Sequence, residues 1–219
     1  MFRILIMNIY EMKYNLAINV AKLILPEVKD AIFCGGTALN TFYLNYRYSE
    51  DLDIGYLSAN PKSSIESLLE KKGYSFKRTE MKLRDIITSE GTEIKMDVFE
   101  YESITGIISK DLQGVAVSTL SSEEFTLSKT ISFMTREDKN GLIRDAYDLY
   151  KLGDILDVFS VVKKYKEKIC SKVDVVQANF QMLYENPNYA AIAIEPLLKS
   201  LVNHNSVEKF MKRIGQMMR

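Results

Sequence analysis

Histidine and cysteine are nearly absent from this chain: one histidine, His204, and two cysteines, Cys34 and Cys170, in 219 residues. A zinc centre is disfavoured, because it draws its ligands from closely spaced His and Cys. The single histidine also makes a Ser-His-Asp or Cys-His mechanism improbable, and His204 reads as a surface or helix-packing residue. The two cysteines lie far apart, each inside an apolar segment. That placement suits reduced thiols in a reducing compartment and argues against a disulfide framework. Long apolar runs are missing too. The opening stretch MFRILIMNIYEMKYNLAINVAKLIL is broken by Arg3, Asn8, Glu11, Lys13, Asn15 and Asn19 and has no small-residue cleavage site, so it reads as an amphipathic helix. No segment reaches the roughly 18 uninterrupted apolar residues of a membrane span. The expectation is a soluble, cytoplasmic protein with no membrane partner. Net charge is absent as well, 29 basic residues balancing 29 acidic ones. Any polyanion must therefore be met by a local patch rather than by a whole-surface field.

What is present is an apolar content of 47%, enough for a real core, and a periodicity that changes along the chain. Residues 4–25 carry apolar positions at helical spacing and stop near Pro26. VKDAIFC (28–34) reads as a short buried strand, Gly35 and Gly36 as a tight turn, and TALNTFYLNY (37–46) as a helix. DLDIGYL (51–57) alternates like a two-faced strand. In SSIESLLEKKG, Ser63 or Ser64 is the expected cap and Gly73 the expected stop. From 74 to 120 short β-prone runs follow, YSFKRTEM, KLRDIITSE, TEIKMDVFEY and GVAVSTL, with turns at Gly91, Gly106 and Gly114. After residue 121 the pattern is helical: SSEEFTLSKTISFM opens on a cap signal, IRDAYDLYKLGDIL continues it, and 157–170, 172–184, 189–202 and 205–218 are amphipathic. The predicted fold is α/β (α+β), a mixed sheet with flanking helices over residues 1–120 followed by a helical bundle over 121–219. The N-terminal helix is free to pack on either domain.

The chemistry concentrates in FCGGTALNTFYLNYRYSEDLDIGYL and, later, EIKMDVFE. Gly35 and Gly36, between a strand and a helix, let backbone N–H groups approach phosphate oxygens, and Thr37 offers a hydroxyl; a Gly pair in such a place is also an ordinary turn. Asp51 and Asp53, two apart on a strand, project from one face about 6–7 Å apart at the backbone, as metal ligands or as a solvated strand edge. Asp97 is expected on one side of a second strand with Lys95 and Phe99, opposite Met96 and Val98. Carboxylates gathered on a sheet face repel unless a cation offsets them, and hard oxygen donors favour magnesium or manganese. Three such carboxylates suit two-metal attack on a triphosphate, with Asp97 as a ligand of the first metal and a proton acceptor from the nucleophile.

GGTAL followed by Arg47, Ser49, Asp51 and Asp53 in the order R-x-S-x-D-x-D resembles the AbiEii/AbiGii toxin-type nucleotidyltransferases. The resemblance extends to Lys129 in FTLSKTISF and to Arg144, Asp145 and Asp148 in IRDAYDLYKL, so it covers about residues 30–150 in four ordered pieces. It implies a polymerase-β-like nucleotidyltransferase core, a following helical domain and a nucleotide held in the cleft between them. It further implies that Lys129 contacts the triphosphate, that Asp145 supports catalysis and that Arg144 and Asp148 line the opposite wall. Its implied partners are a nucleoside triphosphate, an RNA, tRNA or protein acceptor, and a cognate antitoxin in an antiphage or toxin–antitoxin system.

Several residues keep two readings. Arg47 is either a nucleotide contact or a structural partner of an aspartate, and Ser49 either binds phosphate or merely precedes the strand. Arg144 and Asp148, at i and i+4, also fit a surface salt bridge. Lys163, Lys164, Lys166 and Lys168 around Tyr165, and Lys209, Lys212, Arg213 and Arg219, suit either an RNA backbone or a solvated helix face. Tyr43, Tyr46 and Tyr48 either stack on a base or pack. The expected activity is transfer of a nucleoside monophosphate to a hydroxyl acceptor. Its rivals are a nucleotide-binding module without transfer and a metal-dependent phosphodiesterase.

Overall fold

The computed structural model describes residues 2–78, 84–101, 104, 106–171 and 187–218. The chain divides into two compact units, Met1–Ser121 and Ser122–Arg219.

The first unit opens with helix α1 (Phe2–Ile24). Leu16, Ala17, Val20, Ala21 and Ile24 form its buried stripe, the helical repeat that binds an amphipathic helix to a core. There follow β1 (Ile32–Cys34), α2 (Gly35–Leu39), a π-helical turn at Asn40–Leu44, β2 (Asp51–Tyr56) and α3 (Lys62–Lys71). The strands β3 (Ser75–Arg78), β4 (Arg84–Ser89), β5 (Thr92–Glu100), β6 (Ile107–Asp111) and β7 (Ala116–Leu120) complete the unit. All seven strands join one mixed sheet in the order β3-β4-β5-β2-β1-β7-β6. β2 runs parallel to β5 and β1 parallel to β7, while the other neighbours are antiparallel. On β2 and β5, Leu52, Ile54, Ile94 and Met96 are buried. α1 lies against both strands.

Local chemistry explains the turns. β4 and β5 meet through Glu90 and Gly91, both at positive φ (49° and 77°), as a two-residue hairpin with the sheet's twist requires. In the β6–β7 connection, Gly114 adopts φ 90° and its N–H donates to the Asp111 carboxylate at 3.1 Å.

In the first unit the structure departs from the sequence reading at several places. β1 is only three residues long, because Asp30 turns left-handed (φ 63°) just before it. Gly35, at φ 69°, turns the chain as expected, but α2 begins with the glycine pair itself and not after it. α3 starts from Pro61 with no side-chain cap, leaving Ser63 and Ser64 inside its first turn, although Gly73 (φ 78°) does end it. Strand β6 is not among the runs read from the sequence; it is the sheet's edge, and its half-buried and exposed residues give no clean alternation. The end of YSFKRTEM and the segment 172–184 lie outside the described residues.

The second unit contains α4 (Ser122–Thr135), α5 (Lys139–Leu152), α6 (Val158–Lys164), α7 (Lys166–Cys170), helix Pro187–Ile194, a 3-10 turn at Glu195–Leu197 and helix His204–Met218. The helical pattern of 122–152 is broken by Asp138, whose carboxylate accepts from the N–H groups of Asn140 and Gly141 and starts α5 afresh. Val207, Met211, Ile214 and Met218 form the buried stripe of the last helix. Among the described residues, no helix is long and apolar enough to cross a membrane.

His204 is a helix-packing residue, its Nδ1 hydrogen-bonded to the hydroxyl of buried Tyr147. Burial pushes the Tyr147 phenol up to about 12. The unfolded chain ionises near the ordinary value of 10, so this contribution is complete below pH 10 and is lost as pH rises towards 12. Thermal melts from pH 9 to 12 should therefore fall more steeply for the wild type than for Tyr147→Phe. Parallel curves would remove the role given to Tyr147.

Candidate active site

The register of β2 and β5 pairs Asp51 with Lys95, Asp53 with Asp97 and Gly55 with Phe99. Residues opposite one another on paired strands share a face, and such strands lie about 4.8 Å apart. Asp51, Asp53 and Asp97 thus occupy one face, all three half-buried, while the intervening Leu52, Ile54 and Met96 point into the core. Across β1 the register partner of Asp53 is Cys34, which extends the row to Cys34, Asp53 and Asp97. The Cys34 thiol donates to the Asp53 carbonyl at 3.3 Å. Its pKa is raised well above the ordinary value, first by complete burial and then by the charge of Asp53.

Gly35 lets Asp53 sit where it does. It has φ +69°, and a Cβ there would stand 1.8 Å from Asp53 Oδ2. The carboxylate fills the space that any other residue would claim. Gly35→Ala is expected to cost about 1–2 kcal/mol for the left-handed backbone and to push Asp53 aside as well. The expected outcome is a melting temperature lower by roughly 5 °C or more. A variant that melts with the wild type would contradict the close approach.

Gly36 admits a second approach: a Cβ would lie 2.8 Å from Ser49 Oγ and 3.0 Å from Arg47 Nη2. Arg47 is 2% exposed and donates from Nη1 to the Tyr48 carbonyl at 3.0 Å, while its backbone N–H reaches Asn40 Oδ1. Asn40 in turn donates to the Gly36 carbonyl, and the fully buried Thr37 donates its hydroxyl to the Asp51 carbonyl. Arg47, Thr37 and Asn40 therefore knit the chain before β2 onto α2 and fix where β2 begins. Asn40 gave no motif signal; its mark is an amide one helical turn after Gly36.

The three tyrosines beside this region serve packing. Tyr43 donates to the Leu120 carbonyl and carries Lys110 over its ring at 4.9 Å. Tyr46 is buried, and Tyr48 meets Tyr14 edge-on at 5.9 Å.

The donor set of the carboxylate row suits a hard divalent cation, and the space at Gly35 holds an Asp53 oxygen at the row's centre. Among the described residues no three His, Cys, Asp or Glu side chains are drawn together as a closed cluster. Cation binding thus asks the flanking carboxylates to turn towards a common point.

In the second unit, α4 and α5 bring together the other residues singled out by sequence. Lys129 Nζ lies 2.7 Å from Asp145 Oδ1 and 2.9 Å from Asp148 Oδ2. Arg136 Nε lies 2.8 Å from Asp145 Oδ2. Asp145 and Asp148 are buried, and Lys129 is 8% exposed. Spacing of i and i+3 puts both aspartates on the face of α5 that meets α4. Arg144, half-buried, sits beside this cluster in sequence. The sequence reading missed Arg136, seven residues and so about two turns after Lys129, a spacing that places both cations on one side of α4. In the basic run, Lys164 pairs with Glu123 at 2.6 Å.

Residues 24–102 match the family described as nucleotidyl transferase AbiEii toxin, Type IV toxin–antitoxin system. No curated protein matches the chain. Among solved structures, an antigenic nucleotidyltransferase-like protein from Paracoccidioides brasiliensis superposes with a TM-score of 0.51 at 15% identity, over 88% of this chain and 94% of that one. JHP933 from Helicobacter pylori gives 0.48 at 16% identity, over 94% and 91%. The first of these shows the nucleotidyltransferase-like fold. The glycine pair and all three aspartates fall inside the matched residues, so the segment that carries the sequence motifs is also the one similar to the AbiEii nucleotidyl transferase toxins.

Proposed function

We propose that this protein transfers a nucleoside monophosphate from a nucleoside triphosphate to a hydroxyl acceptor, releasing pyrophosphate, and that it needs magnesium or manganese. The observation that carries the reading is the register of Asp53 with Asp97, with Asp51 on the same half-buried face and Gly35 receiving the Asp53 carboxylate. Asp51, Asp53 and Asp97 are the proposed metal ligands. Cations held by these carboxylates would supply activation of the acceptor hydroxyl and neutralisation of pyrophosphate charge. Asp97 accepts the acceptor's proton. Backbone N–H groups at Gly35, Gly36 and Thr37, with Ser49, hold phosphate oxygens, and Arg47 keeps that segment in shape. In the second unit Lys129, Arg144, Asp145 and Asp148 are the proposed nucleotide-binding and catalytic group. The family's description supports a toxin role and a cognate antitoxin as partner. The proposed acceptor is an RNA, tRNA included, or a protein.

The test is incubation with magnesium, each α-labelled triphosphate in turn and total RNA, beside an Asp51→Ala, Asp53→Ala double variant. Label carried to an acceptor by the wild type alone supports the reading and names the nucleotide. Nucleotide binding without transfer would replace it with a silent binding module. RNA shortening without triphosphate would replace it with a phosphodiesterase.

A further inference from the structure

We propose that Tyr101 is a positioning residue for Asp53, acting from a seat that Gly55 leaves open on the carboxylate face; the inference rests on the metal-binding reading of that face. Gly55 follows Asp51 and Asp53 on the same side of β2. A Cβ at Gly55 would stand 2.3 Å from Tyr101 Cε2, 2.6 Å from Tyr101 Cδ2 and 3.6 Å from Cys34 Sγ. The tyrosine ring thus occupies the space a side chain at position 55 would fill, one alternation beyond Asp53. It is brought there by the chain leaving β5, where the Tyr101 N–H donates to the Tyr56 carbonyl at 2.8 Å. Phe99, the register partner of Gly55, supports the ring from β5, with centroids 5.1 Å apart and planes at 59°.

The polar end of Tyr101 completes the connection. Its hydroxyl hydrogen-bonds Cys34, and the Cys34 thiol donates to the Asp53 carbonyl. Asp53 is consequently fixed at two points: its Oδ2 lies in the space at Gly35, and its carbonyl is tied through Cys34 to Tyr101. A carboxylate already ordered by packing loses little side-chain entropy when it takes a cation. A residue that orders a ligand without touching the metal typically changes affinity by about 10–100-fold.

The experiment is a titration of the full chain with manganese alone, read by electron paramagnetic resonance, for the wild type, Gly55→Ala, Tyr101→Ala, Tyr101→Phe and Asp53→Ala. Gly55→Ala expels the ring without altering any charge, Tyr101→Ala removes it, and Tyr101→Phe keeps it but loses the hydroxyl bond to Cys34. Expected is a manganese Kd about tenfold or more weaker in the first two variants and weaker by a smaller factor, between those and wild type, in Tyr101→Phe, with cooperative melting in all three. Where label transfer is measurable, kcat falls in the same order while KM for the triphosphate stays nearly constant. A manganese Kd unchanged in Tyr101→Ala and Gly55→Ala, or no manganese binding by the wild type, would overturn the inference. Manganese binding that depends on Tyr101 without any label transfer would uphold it and remove only the transferase reading.

Discussion

Asp97→Asn is expected to lower label transfer about a thousandfold or more while the protein remains folded. The substitution keeps the shape of the side chain and one of its acceptors, so the β5 strand and its pairing with β2 need not move. It removes the charge that a divalent cation requires and the basicity that a proton acceptor requires. Metal-assisted stabilisation of a phosphoryl transition state is worth several kcal/mol, and about 1.4 kcal/mol corresponds to each tenfold in rate. Stability should change little. Asp97 has Asp53, of like charge, as its register neighbour on β2 and Arg84, of opposite charge, as its register neighbour on β4, so the repulsion relieved and the attraction lost on neutralising it oppose each other. The melting temperature is expected to hold. Transfer at the wild-type rate by Asp97→Asn would remove Asp97 from the site, and a collapsed melting curve would give it a structural role instead.

Lys129→Met should have the largest effect on stability. The lysine ammonium lies within 3 Å of two buried carboxylates, Asp145 and Asp148, and Arg136 meets the other oxygen of Asp145. Removing one partner from a buried charge pair costs about 3–5 kcal/mol, because the charge left behind loses compensation in a place where water cannot replace it. For a chain of this size that is a fall of roughly 10 °C or more in melting temperature. A double variant, Lys129→Met with Asp148→Asn, should recover part of the loss, as expected of coupled neighbours. A fall below about 2 °C would show that the cluster contributes little to folding. If nucleotide binding were then lost with stability intact, Lys129 would be a ligand contact first and a structural residue second.

Much of this was legible before any coordinates. The alternation of DLDIGYL and of KMDVFE placed Asp51, Asp53 and Asp97 on strand faces, and the structure puts them on the same one. The composition change after residue 120 preceded the helical second unit. Hidden from the sequence were contacts that depend on register or on a missing Cβ. Nothing in a string of letters says that Gly35 yields its side-chain space to Asp53, or that Gly55 yields its own to Tyr101. Thr37 looked like a phosphate-binding hydroxyl because a hydroxyl after a glycine pair is so placed in many loops. Burial at 0% exposure and a bond to the Asp51 carbonyl give it an internal task. Arg136 was overlooked because it stands at the end of α4, where a basic residue ordinarily interacts with the helix carbonyls. The π-helical turn Asn40–Leu44 has no sequence signature of its own.

The strand order has a consequence for the timing of synthesis. β2 takes its parallel neighbour from β5, with α3, β3 and β4 made in between, and β1 takes its own from β7, the last strand of the unit. A chain emerging from the ribosome therefore exposes Asp51 and Asp53 well before the strand carrying Asp97 exists, an interval of a few seconds at about 5–20 residues per second. The hairpins β4–β5 and β6–β7 are local and can close at once, whereas the two parallel pairings must wait for distant sequence. The carboxylate row is thus among the last features of the first unit to assemble, so a nascent chain cut short before β5 carries no complete row.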